Sequence, residues 1–585
     1  MSETIVCSST TQAELNKPTT RIDTAVSALS YLSILGGLGS FAAAIHITVL
    51  SYFPIPYWDM WWTYNYLVHP DSPLLTWLWA QHNEHRILIP KLFLMADFWL
   101  FQGREIFLLA SILAVLLIHA ALLLWAFRTL AGMRGAIWRT AAGLTGLCVF
   151  STTQWENFAS GFQIAFVLVE LFVTLSLVSV LVYLRTPRDK RQQRYLWITI
   201  LAAAAATCSL SNGLVVWLLL LLIALLEGAS KWVAALIAAL GATMIAAYLY
   251  HYSNVARHSN PFASLHQPLQ LADYVVHYFG GICTWLGSTR VVFFGHLCLA
   301  GAAIIVGISL VRRARDPLSL LLSGLVLFYV GTAVITGLGR LKFGNVQAQA
   351  SRYEAFSLLV WLSIAMQLIR LAARYSRIFL IVVQSLVLFL MATSFLHIKV
   401  PIVGARGRAL RLNTAAMAIV TGALDPVLLG WASPEMSSVL LNQPILKRLH
   451  KSVFATSIAK DLNQPLLAIQ RLRPEKCLGV LHPVDLIETT TPPSLRVTGW
   501  AWDPVRREPP NKIVFAMQDR IVGYAQPGFP TPGLDKRLFA RSAANAGWIG
   551  FVEPLERHSQ IDLYGVVGRG EICRVADLAI PAPKK

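Results

Sequence analysis

Residues 167–184 read VLVELFVTLSLVSVLVYL, residues 214–226 read LVVWLLLLLIALL, and residues 379–396 read FLIVVQSLVLFLMATSFL. In water, runs of this kind would strand a large apolar surface. Inside a bilayer a helix satisfies its own backbone hydrogen bonds, so the same runs are stable there. Working outward from these three, the texture recurs at 24–53, 104–127, 139–152, 162–184, 195–211, 213–228, 232–252, 291–311, 318–338, 354–370 and 377–396. The pattern predicts an all-α polytopic membrane bundle of about eleven transmembrane helices. Composition agrees, because only 14% of the 585 residues are charged, against about 25% in soluble proteins.

A net charge of +19 does not here point to nucleic acid, because the basic residues punctuate the apolar runs on alternate sides. Arg128, Arg134 and Arg139 form one cluster, and Arg185, Arg188, Lys190, Arg191 and Arg194 form the next. Lys231, then Arg312, Arg313 and Arg315, then Arg370, Arg374 and Arg377 follow. All are expected in the cytoplasm, with the polar tail 1–23, which lacks a signal-cleavage pattern before the first run. An odd number of spans then puts everything after about residue 397 outside. The expected location is a bacterial cytoplasmic (inner) membrane, with 24–396 as the membrane domain.

Residues 397–494 look mixed and partly helical. From 495 to 585 the texture changes to short strands: LRVTGWAWD, KIVFAM, RIVGYAQ, GWIGFVEP, IDLYGVV and ICRVADL. Gln518-Asp519 and Arg569-Gly570 look like tight hairpin turns, and the whole predicts an outer β-sandwich domain. Of the seven cysteines, only Cys477 and Cys573 fall in this outer part. Their separation does not decide whether they pair, and the unpaired state is the simpler expectation.

The outer face carries the chemistry-bearing residues. The first outer loop, 54–103, holds Tyr57-Trp58-Asp59-Met60-Trp61-Trp62 and then His82-Asn83-Glu84-His85-Arg86. Ionisable groups at the membrane face are costly unless paired or wetted, so this cluster reads as the lip of a cavity or as a loop facing water. The loop ends in ILIPKLFLMADFWLFQG, too short and too charged (Lys91, Asp97) for a span, and is expected to lie as a helix in the interface. His82 and His85 with Glu84 nearby give weak support for a divalent metal, since the HExxH spacing is missing. Glu156, Asn157 and Gln163 occupy a second outer loop, suited to hydrogen bonding of sugar hydroxyls or simply a polar hairpin tip. Arg340, Lys342, Arg352, Tyr353 and Glu354 flank the penultimate span on the outer side. Three cations there run against the orientation bias, and a bound phosphate is one reason to keep them. An internal Arg352–Glu354 ion pair is the competing reading.

The order of parts resembles the GT-C superfamily of membrane glycosyltransferases. Asp59 in Pro56-Tyr57-Trp58-Asp59 stands where those enzymes carry an acidic residue just after the first span. His82-Asn83-Glu84-His85-Arg86-Ile87-Leu88-Ile89-Pro90 stands where many members have His-Pro-Pro before an interfacial helix. Gly103-Arg104-Glu105 to Phe127 resembles the family's second span, and GWAWDP at 499–504 resembles β-modules appended to bacterial envelope proteins. The resemblance implies transfer of a sugar from a polyprenyl-phosphate donor to a glycan or lipid acceptor at the outer face. Asp59, with Glu84 in reserve, would be the base, and Arg340, Lys342 and Arg352 would hold the donor phosphate. Trp58, His82, His85, Arg86, Glu156, Asn157, Gln163, Tyr353 and Glu354 would line the substrate. The alternatives are a lipid or polysaccharide transporter and a non-catalytic envelope scaffold. A Walker motif is missing, so ATP is not expected to drive it. A transporter should also show polar residues through the membrane midplane, and these spans look poor in them.

Overall fold

The computed structural model describes residues 21–187, 190–255, 258–312, 316–487, 493–554, 560–568 and 570–579. Residues 1–20 of the expected tail, Arg188, Arg313, Arg315 and the Arg569 turn position lie outside the described residues, as do the side chains of Lys190, Arg191 and Arg312. Each of the eleven apolar runs is helical. Among the described residues, eight stretches are long and apolar enough to cross a membrane: Arg21–Leu50, Ile106–Ala131, Gly161–Arg185, Lys231–Leu249, Ser288–Val311, Pro317–Ala348, Ser351–Tyr375 and Arg377–Thr421. The three other expected spans fall short for physical reasons. Gly135–Val149 has 15 residues and Val215–Leu226 has 12, against about 20 needed to span. Lys190–Thr207 opens with KRQQR, which lowers its hydropathy.

The chain gathers into two compact units. The first comprises 1–45, 115–154 and 169–399, and the second 46–114, 155–168 and 400–585.

In the first unit the helices pack through small residues. A Cβ on Gly143 would stand 2.1 Å from the Ser33 carbonyl oxygen, and one on Gly37 would stand 2.7 Å from that of Gly143. Backbones that approach this closely have no room for a side chain, which is how helices associate where water gives no hydrophobic drive. Polar glue supplements the contact: Gln384 Nε2 donates to Val26 O and to Thr140 Oγ1, at 3.1 and 2.8 Å. Arg139 donates to the hydroxyls of Ser30 and Ser27 and lies over the Tyr31 ring.

The second unit joins the first outer loop to the C-terminal third of the chain. Ile55, Met60, Trp61, Tyr64, Leu94 and Phe98 share one core with Leu412, Ala416, Ile419, Leu429, Val439 and Leu446. The latter come from the helices Lys399–Thr421, Pro426–Ala432 and Met436–Arg448. Two hydrogen bonds tie the loop ends down: Asn413 Nδ2 to Tyr52 O at 3.1 Å and Ser452 Oγ to Pro54 O at 2.8 Å.

Among the described residues nine strands follow: β1 Arg471–Leu472, β2 Leu478–Leu481, β3 Asp485–Ile487, β4 Ser494–Trp502, β5 Lys512–Met517, β6 Arg520–Phe529, β7 Gly547–Val552, β8 Asp562–Gly568 and β9 Glu571–Ala579. They form one sheet in the order β1-β9-β8-β5-β6-β7-β4-β2, with β3 also on β4. This corrects the expected two-layer sandwich. The segment carrying β1 and β2 runs beside β9 at its start, with Arg471 opposite Glu571, and beside β4 at its end, with Leu481 opposite Gly499. It thereby bridges both edges of the sheet and curls it into a half-barrel, which covers otherwise open edges. Inside lie Val497, Ile513, Phe515, Val522, Trp548 and Leu563. The alternate residues Val514, Ala516, Ile521, Tyr524 and Phe551 face outward and are covered by Met417, Ala418 and Leu428. Helices, not a second sheet, bury the outer face. The Gln518-Asp519 turn forms as expected, with both residues left-handed (φ 49° and 65°) between the paired Met517 and Arg520.

Cys477 and Cys573 form a disulfide, with Cα atoms 5.5 Å apart across a separation of 96 residues. The unpaired expectation fails because β-sheet closure brings Cys477 beside β9, where it also bridges to Val575. In the GWAWD segment, Asp503 is fully buried and accepts both guanidinium nitrogens of Arg473, at 2.7 and 3.1 Å. That motif therefore closes the half-barrel.

Candidate functional site

In the second unit, the first outer loop folds back on itself through a tight turn. His82 and His85 exchange both backbone hydrogen bonds, at 2.7 and 3.0 Å, with Asn83 in the left-handed region. The turn aims Asn83 at Asp59, and its Nδ2 donates to Asp59 Oδ2 at 3.0 Å. Glu84 sits at the same tip, 3.5 Å from His85 Nε2, both partly exposed. Asp59 is thus hydrogen-bonded to the turn that also carries Glu84. Trp58 adopts φ 50°, a conformation bulky residues avoid. It is held there by its N–H donating to Ala432 O at 2.8 Å, and its indole is exposed.

The other expected substrate residues of this unit divide. Arg86 is buried, donates to Trp79 O at 2.7 Å and lies over the Trp79 ring, so it fastens the loop. His82 is buried against Phe162, with ring centroids 5.4 Å apart. Burial, then Lys91 and His85, push its pKa from 6.5 down to about 3, which keeps the imidazole neutral. Glu156 forms an ion pair with Arg408 of the Lys399–Thr421 helix. That guanidinium also lies 4.4 Å over Trp155 and 5.3 Å over Tyr57. Arg408 escaped the reading of the sequence because 252 positions separate it from Glu156. Asn157 is fully buried beside this pair, and Gln163 is partly buried, in the short helical turns around Trp155–Phe158 and Gly161–Gln163.

Lys91 and Asp97, taken as interfacial charges, serve the fold. Lys91 Nζ donates to Trp77 O and Ala80 O, at 2.6 and 2.9 Å, satisfying the end of the Leu74–Trp79 helix. Burial and then Arg86 bring its pKa down to about 8. Asp97 accepts from the Glu105 N–H at 3.1 Å, and burial still raises its pKa to about 6. Glu105 is itself buried, accepts from the Gly161 N–H at 3.0 Å, and is raised well above the carboxylate range by burial. Among the described residues, no group of three or more His, Cys, Asp or Glu is arranged to hold a metal ion.

The expected phosphate-binding residues lie in the first unit. Arg340 ends the Pro317–Arg340 helix, Lys342 is exposed one turn on, and Arg352 and Tyr353 open the Ser351–Tyr375 helix. Arg352 lies over the Tyr353 ring, which stacks on Tyr278 at 5.3 Å. Arg340 and Arg352 both act electrostatically on the Tyr274 hydroxyl. Glu354 is buried in the first turn of its helix. The spans are not poor in interior polar groups: His119, Glu170, Thr174, Asn212 and Thr332 are all buried within this unit. Lone ionisable residues inside apolar runs were the available signal for His119 and Glu170. Set against protein-family models, curated proteins and solved structures, the chain matches none.

Proposed function

We propose that the chain is a membrane glycosyltransferase acting at the outer face, moving a sugar from a polyprenyl-phosphate donor to a glycan or lipid acceptor. The observation that carries this reading is the Asn83–Asp59 hydrogen bond, which fastens the Asp59 carboxylate to the turn that also carries Glu84. Asp59 is the base. It takes the acceptor hydroxyl's proton as that oxygen attacks the anomeric carbon and the bond to the carrier phosphate breaks. A single displacement of this kind inverts the anomeric centre. Within the first unit, the guanidinium forks of Arg340 and Arg352, with the Lys342 ammonium, suit a phosphate group. The exposed Trp58 indole offers a face for a pyranose ring, and Asn83 orients the Asp59 carboxylate.

The experiment is single-turnover transfer from a radiolabelled polyprenyl-phosphate sugar in nanodiscs. Asp59→Asn keeps size and the Asn83 contact but removes the charge, and turnover is expected to fall about a hundredfold or more. Near-normal turnover with Glu84→Gln inactive moves the base to Glu84. Undiminished turnover in both variants removes both carboxylates as the base, and no transfer by the wild type removes the enzyme reading. One observation favours the alternative, movement of a lipid or polysaccharide: the buried polar residues within the spans of the first unit.

A further inference from the structure

His119 lies near the middle of the Ile106–Ala131 helix and Glu170 in the N-terminal half of Ile164–Arg185, and both are buried. His119 Nε2 meets Thr174 Oγ1 at 2.9 Å, and its Nδ1 stands 3.7 Å from Glu170 Oε2. Glu170 Oε1 and His119 Nδ1 are buried without a hydrogen-bond partner. Three fully buried tyrosines continue the line. Tyr329 approaches Thr174 and faces Glu170 and Tyr278. Tyr278 approaches Thr336 and faces Glu170, Tyr274 and Tyr353. Tyr274 faces Tyr353, Arg340 and Arg352. None of the three hydroxyls makes a well-formed hydrogen bond to protein.

Five polar atoms left unmet inside one membrane unit are not helix glue, which works by satisfying them. Buried polar groups that protein leaves unmet are generally met by ordered water. A histidine–carboxylate pair inside a membrane unit, with such groups beside it, is an arrangement for proton binding.

We propose that Glu170 and His119 form an exchangeable proton-binding pair inside the membrane, reached by water along Tyr274, Tyr278 and Tyr329. With Glu170 ionised and His119 neutral, the pair carries one buried negative charge. One proton from the water column, resting on either partner, cancels it, and the same proton leaves by the same route. The groups facing Glu170 are His119 from Ile106–Ala131, Tyr329 from Pro317–Arg340 and Tyr278 from Pro268–Gly280. Glycosyl transfer has no need of such a site, so the inference stands whether or not that reading holds.

The test is infrared difference spectroscopy of the full chain in nanodiscs on acidification, in ordinary and heavy water. The wild type is expected to gain a carboxylic-acid or imidazolium signature that exchanges with deuterium within seconds. Glu170→Gln loses that signature, and Tyr278→Phe keeps it but exchanges at least tenfold more slowly. Glu170→Asp, which shifts the band instead of removing it, covers the case in which the Gln variant fails to fold. A difference spectrum identical in wild type and Glu170→Gln overturns the proposal. So does a band that resists deuterium for hours, the mark of a sealed structural pair.

Discussion

Burial of the His82 imidazole beside Lys91 and His85 makes the first outer loop acid-sensitive. In the unfolded chain this group takes a proton near 6.5, whereas in the fold it resists until about 3. The unfolded state therefore binds more protons across that window. The His82 contribution is intact above the unfolded value and is lost as pH falls from 6.5 towards 3. At a pH near 4.5 the loss amounts to about 3 kcal/mol. His82→Phe keeps a ring against Phe162 and removes the titration. Its thermal midpoint is expected to fall less than the wild type's between pH near 7.5 and pH near 4.5. Equal falls would show that another group governs acid sensitivity. The residue types of the loop announced polar chemistry, but their roles came from partners. Asp59 found Asn83, while Arg86 and Lys91 went to backbone carbonyls that only the folded loop presents.

At the scale of elements, the crossing of Arg21–Leu50 with Gly135–Val149 depends on Gly143, whose Cβ would collide with the Ser33 backbone. Gly143→Ala is expected to cost about 1–3 kcal/mol, as overpacking generally does. Gly307→Ala, where nothing lies within 4 Å, is the control. Thermal unfolding in one detergent compares them, and equal midpoints would mean that the helices separate freely. The six strands from β4 to β9 were legible because β-branched and aromatic residues alternate between Gly, Pro and Asp breaks. What covers their second face was not. Continuous apolar runs such as IVFAM at 513–517 say that both faces are apolar, and a sheet and a helix satisfy the second face equally well. Here Met417, Ala418 and Leu428 do so.

For the whole molecule, the disulfide is the feature that reports on compartment, since such bonds persist where the environment is oxidising. Denatured protein taken from membranes should expose five of its seven cysteines to a thiol reagent before reduction, and all seven after. Seven reactive thiols before reduction would contradict the pairing. The double variant Cys477→Ser/Cys573→Ser is expected to lose about 2–5 kcal/mol of stability in the half-barrel, because it frees a long loop in the unfolded chain. Protease resistance of the β4–β9 region measures that loss.

The sequence by itself determined that this is a multi-pass membrane protein with a strand-rich C-terminal region. Apolar length and side-chain period are local properties, readable within a window of about 20 residues. Only the tertiary structure decided the pairings between distant segments. It set Glu156 against Arg408, Cys477 against Cys573, His119 against Glu170, and the first outer loop against the C-terminal helices. Such pairings depend on where the backbone returns after a hundred or more residues, or on which helix faces meet, and no local pattern encodes either.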